Sequence, residues 1–138
     1  MTYFIDETIK EDKEWKKLLK QVIDDCDMVE LNILHRKFKK MIDSNIFKQC
    51  QIITKLDYNK IYFNGSFLRC YLDEDIKEFL LNKPYESWIN YPLEDVSLLK
   101  GKNEILATIT HENYVIMRLT EEERNKLNIE GFHFINKL

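Results

Sequence analysis

Hydrophobic positions change their period along the chain. Trp15, Leu18, Leu19, Val22, Ile23 and Cys26 recur at helical spacing, with Lys13, Lys16, Lys17 and Lys20 between them, and predict a first helix with one apolar stripe. Asp27 and Glu30 form a capping pair for a second helix, whose stripe is Leu31, Leu34, Phe38, Met41 and Ile42. The first 45 residues therefore read as a helical hairpin. A strand over Met28 to Leu34 is the competing reading, because a short apolar run fits either period.

From Cys50 the period becomes two: Cys50, Ile52, Thr54 and Leu56 alternate with Gln51, Ile53 and Lys55, and Asp57-Tyr58-Asn59 makes a turn. Asn64-Gly65, flanked by the β-rich runs Lys60 to Phe63 and Ser66 to Leu72, predicts a two-residue hairpin turn, since both residues tolerate positive φ. That turn sets a register with Tyr62 facing Phe67, Ile61 facing Leu68 and Lys60 facing Arg69. One face then carries Ile61, Phe63, Leu68, Cys70 and Leu72. The other carries Tyr58, Lys60, Tyr62, Phe67, Arg69 and Tyr71.

Asp73 caps a short helix through Ile76, Phe79, Leu80 and Leu81, which Pro84 ends. After an aromatic connector from Pro84 to Pro92, strands are expected near Val96 to Leu99, Glu104 to Thr110 and Tyr114 to Leu119. A capping box at Thr120 and Glu123 then opens another short helix, and Gly131 precedes a last strand, Phe132 to Ile135. Paired strands without long crossovers give the fold class: α+β, an N-terminal helical hairpin followed by a mainly antiparallel sheet with two further short helices, in one domain spanning 1–138.

Composition narrows what such a domain does. With 44% hydrophobic and 33% charged residues it has the makings of a packed core. A net charge of -3 argues against general affinity for nucleic acid. The acidic start of the chain lacks a signal-peptide layout, and no apolar run has the length of a membrane span. Three widely spaced cysteines without a Cys-x-x-Cys motif read as reduced thiols, and the expected location is the cytoplasm.

Candidate chemistry is sparse. His35, His111 and His133 lack metal-ligand spacing, so no metal and no cofactor is expected. No catalytic residue is assigned, and His111-Glu112 reads as a polar turn. Two groups of residues are candidate partner- or ligand-binding sites. The first is the aromatic and basic face of the hairpin, Tyr58, Lys60, Tyr62, Phe67, Arg69 and Tyr71, where two facing cations call for an anionic group: a carboxylate of this chain, a ligand or a partner. The second is Tyr85, Trp88 and Tyr91 on the stiff connector, which either anchor the loop to the core or form a contact surface. The expected function is a small cytosolic protein-binding module that acts by site blocking, such as a toxin-immunity protein or a mobile-element inhibitor. Its alternatives are an enzyme or binder for a nucleotide-like anion held by Lys60 and Arg69, and a nucleic-acid binder using the basic run His35 to Lys40 on the second helix.

Overall fold

The computed structural model describes residues 2–42, 45–63 and 65–136. The chain begins in β1 (Thr2–Asp6), then forms α1 (Asp12–Val22), which a 3₁₀ turn prolongs over Ile23–Asp25. β2 (Met28–Ile33), the single helical turn α2 (Phe38–Met41), β3 (Gln51–Ile53) and β4 (Phe67–Tyr71) follow. α3 (Glu74–Asn82) leads through a second 3₁₀ turn (Tyr85–Trp88) to β5 (Leu93–Lys100) and β6 (Asn103–Ile109). A third 3₁₀ turn (Thr110–Glu112), β7 (Tyr114–Leu119) and α4 (Glu121–Ile129) complete the order.

All strands join one seven-stranded sheet in the order β1-β7-β6-β5-β2-β4-β3, with every pairing antiparallel. The α+β class and the antiparallel sheet thus hold, as do two short helices after the first β region. The N-terminal helical hairpin does not. A strand precedes α1, and Met28 to Ile33 is the interior strand β2, paired on both sides. Val29, Glu30, Leu31 and Asn32 are all buried, with Val29 and Leu31 on one face and Glu30 and Asn32 on the other, and it is the pairing with β4 and β5 on both sides that holds the segment extended. The expected second helix shrinks to Phe38–Met41.

The expected hairpin is also corrected. β4 pairs with β2 and β3, while Lys60 to Phe63 forms no strand. Asn64 lies outside the described residues; Gly65 has φ +114°. The last expected strand, Phe132 to Ile135, reduces to a single bridge between Ile5 and Ile135.

One sheet face carries Phe4, Val29, Leu31, Leu68, Leu98, Leu106 and Met117 into a core that α1 closes with Trp15, Leu18, Leu19 and Val22. α3 adds Ile76 and Leu80. Cys50, just before β3, stands opposite Cys70 of β4, and a disulfide joins them with Cα atoms 4.5 Å apart. The expectation of reduced thiols is therefore corrected for this pair, and the cytoplasmic location loses the support it drew from them. Among the described residues no helix is long and apolar enough to cross a membrane.

The capping box at α4 is formed: the Glu123 N–H donates to Thr120 Oγ1 at 3.1 Å, and the Thr120 N–H donates to Glu123 Oε1 at 2.9 Å. Thr120→Ala is expected to lower stability by about 1 kcal/mol in a urea titration, with an unchanged dependence on denaturant.

Candidate functional site

The second sheet face is polar at its centre. β-Alternation sends Glu30 and Asn32 of β2, Phe67, Arg69 and Tyr71 of β4, and Ser97 of β5 to this side, and the register puts Glu30 between Arg69 and Ser97. The irregular stretch from Asp57 to Phe63 lies across the face and supplies the groups that a helix supplies on the other. Glu30 is fully buried. Its carboxylate accepts from Lys60 Nζ at 2.9 Å, from Arg69 Nε at 2.8 Å and from the Tyr58 hydroxyl. Glu104 of β6, also buried, accepts from the Ile61 N–H at 2.7 Å and from the Ser97 hydroxyl, and lies 3.8 Å from Lys60. Phe63 meets Phe67 edge-on, with ring centroids 5.8 Å apart.

Lys60 and Arg69 thus do share a face with Tyr58 and Phe67, although not through a hairpin. The anionic group that two neighbouring cations require is a carboxylate of this chain, Glu30. Two buried carboxylates balance two cations, and each charge is hydrogen-bonded, which is the condition under which buried ions are tolerated. The Lys60 side chain is 2% exposed and packs its ammonium 4.7 Å from the Phe67 ring centroid. Burial pushes the Tyr58 pKa well up, and the bond it donates to Glu30 pushes it further, so the phenol stays protonated. Burial opposes the Arg69 charge, but bonds to Glu30 and Asp57 outweigh it and raise the pKa.

Beside this cluster opens a cleft of about 290 Å³. Tyr58, Arg69 and Tyr71 line it together with the apolar Met28 and Leu99, and Asp27, Asp57 and Lys102 are the further charged groups of its lining. Two of the acidic groups are tied down. Asp57 accepts from Arg69 Nη2 at 3.1 Å, and that guanidinium holds its carboxyl below the usual range. Both Asp27 oxygens accept the Gly101 N–H at 3.1 Å, tying the cleft to the β5–β6 turn, where Gly101 adopts φ +61°. Tyr71 is 74% exposed at the end of β4.

The other candidates from the sequence scatter. Tyr62 is exposed at 40% on the irregular stretch. The connector turns inward: Trp88 is buried, Tyr85 lies 5.6 Å from Trp15 between ring centroids, and Tyr91 packs on Trp88 with the Lys83 ammonium 3.6 Å over its ring. Cys26 is buried, and burial together with Asp25 and Asp27 raises its thiol pKa to about 12, far from a nucleophile's range.

His111 finds its carboxylate in Glu94, 2.9 Å away, while Asp95, at φ +55°, accepts from the Thr110 N–H and from Asn32 Nδ2. Burial, aided by Asp95 and opposed by His111, raises the Glu94 pKa. The unfolded chain therefore ionises first as pH rises, and stability falls until folded Glu94 ionises as well. Wild-type stability minus that of Glu94→Gln is expected to decline from about pH 4 upward and then level off. A flat difference across that range contradicts this assignment.

Sequence reasoning missed Glu30, Glu104, Asp27 and Asp57. The signal for Glu30 was present in the strand reading of Met28 to Leu34, which sends it to the face opposite Val29 and Leu31. Among the described residues no group of three His, Cys, Asp or Glu side chains is placed to hold a metal ion. No family model matches the chain, and no curated protein or solved structure is significantly similar to it.

Proposed function

We propose that the chain is a small protein-binding module that acts by occupying a surface of its partner, in the manner of a toxin-immunity protein or a mobile-element inhibitor. The observation that supports this is Tyr71: a large ring, three-quarters exposed, on a sheet strand whose neighbours are locked by the buried Glu30 cluster. A tyrosine on a strand has only two side-chain torsions to fix on binding and belongs to the residue types that dominate interface energies. The cleft it lines has a neutral inner cluster, leaving Asp27, Asp57 and Lys102 to set its character. That favours a partner presenting a basic side chain, in keeping with the net charge of -3.

The anion-holding alternative draws no support from this geometry. Lys60 and Arg69 already bind a buried carboxylate, and an anion would have to displace it. The test is affinity capture from the native host with parent and Tyr71→Ser baits of equal stability. A protein recovered at near-stoichiometric yield with the parent and lost with Tyr71→Ser is expected; equal recovery by both removes Tyr71 from the interface.

A further inference from the structure

On the opposite face from Tyr71, and independent of it, the sheet ends in β3. No described strand lies on its outer side. The register identifies which backbone groups point outward. Cys50 and Cys70, with Cα atoms 4.5 Å apart, have the spacing of a non-hydrogen-bonded antiparallel pair. Pair types alternate, so Gln51 with Arg69 and Ile53 with Phe67 exchange hydrogen bonds, and Ile52 opposite Leu68 does not. The Ile52 N–H and C=O therefore face away from β4 at the sheet edge, and its side chain is 46% exposed.

Next to this edge is a groove of about 340 Å³. Phe38, Phe47 and Leu68 give it an apolar floor, and Lys39 and Lys48 stand on its rim, both exposed. The surrounding chain is strongly basic: Arg36 to Lys55 holds six basic residues against one acidic one, in a protein of net charge -3. A three-residue edge strand flanked by lysines is how sheets avoid pairing with copies of themselves. The same lysines admit a strand of opposite charge, and the disulfide holds the edge ready for it.

We infer that the β3 edge and its groove bind an extended acidic segment of another protein, whose backbone pairs with Ile52 as an eighth strand while alternate apolar side chains enter the groove and acidic ones meet Lys39 and Lys48. The basic run that invites a nucleic-acid reading in the sequence thereby becomes the rim of a peptide site. An acidic peptide is favoured over nucleic acid because the floor is apolar, the edge offers a backbone donor and acceptor that have no partner among the described residues, and the described part of the run holds only one turn of helix, α2.

The probe is a short fluorescein-labelled peptide alternating Glu and Val, measured by polarisation beside a Lys-Val analogue and a single-stranded oligonucleotide. Expected is saturable binding of the Glu-Val peptide, at least about tenfold tighter than that of the Lys-Val analogue. Lys39→Glu with Lys48→Glu is expected to reverse the preference between the two peptides. Ile52→Pro, which removes an N–H that faces away from β4, is expected to abolish binding while thermal unfolding confirms the fold. No binding, equal binding of both peptides, undiminished binding by folded Ile52→Pro, or tighter binding of the oligonucleotide overturns the inference. Because Tyr71 lies on the other face, Tyr71→Ser is expected to leave peptide binding unchanged, so this site and the proposed partner surface fail or stand separately.

Discussion

Glu30→Ala is expected to destabilise the protein by about 3–5 kcal/mol, the usual cost of removing one partner from a buried ionic pair. Glu30 accepts from three side chains on the polar face, and the Lys60 side chain is almost entirely out of solvent. Without the carboxylate, the Lys60 ammonium keeps only Glu104 at 3.8 Å, while Arg69 falls back on Asp57 at the surface. The loss comes from stranding these charges more than from the bonds themselves. Replacing the cluster together, with Glu30→Leu, Lys60→Met, Arg69→Leu and Glu104→Gln, is therefore expected to cost less than Glu30→Ala alone, because no buried charge is left unpaired. Chemical denaturation of the two variants makes the comparison. A quadruple variant less stable than Glu30→Ala would show that the ions contribute net stability beyond their mutual compensation.

Opening the disulfide is expected to cost about 3 kcal/mol. The bridge closes a loop between residues 20 apart in sequence, and chain-entropy reasoning assigns a loop of that size about this much. The loop includes β3 and the irregular stretch that lays Tyr58, Lys60 and Ile61 over the polar face. Cys50→Ser with Cys70→Ser, or reduction of the parent, is therefore expected to lower the denaturation midpoint by matching amounts. The remaining thiol, Cys26, is buried with its pKa raised to about 12 and stays out of exchange in the folded state. Thiol counting on the unfolded chain is expected to find one free thiol before reduction and three after. An unchanged midpoint after verified reduction contradicts the stabilising role.

How far the sequence could be read depended on whether a signal was local. α1, α3, α4, β6 and β7 carry their own periodicity or caps and appear near where these predict them, while β5, expected over Val96 to Leu99, runs from Leu93 to Lys100 and is buried at successive positions. Met28 to Ile33 failed because six residues fit both periods, and what decides them is pairing with β4 and β5, distant in sequence. Lys60 to Phe63 failed for the complementary reason. Its composition suits a strand, yet β2 and β3 occupy both edges of β4, so the segment crosses the face instead. The grouping of Lys60 and Arg69 with Tyr58 and Phe67 was reached through a hairpin that does not form, so the sequence argument named these residues by a route the structure does not follow. The identity of their counterion was not legible, because Glu30 had been placed on a helix. Cys50 and Cys70 were equally opaque: their pairing follows only from the β3–β4 register.

Photocrosslinking from position 71 in the native host tests the proposed function most directly. A benzoylphenylalanine replaces Tyr71 in one chain and Ile129, 87% exposed on α4, in a control. The expected result is one discrete crosslinked protein from position 71 and none in common from position 129. No crosslinked protein from position 71, or the same set of products from both positions, contradicts the assignment of the Tyr71 face as the partner surface.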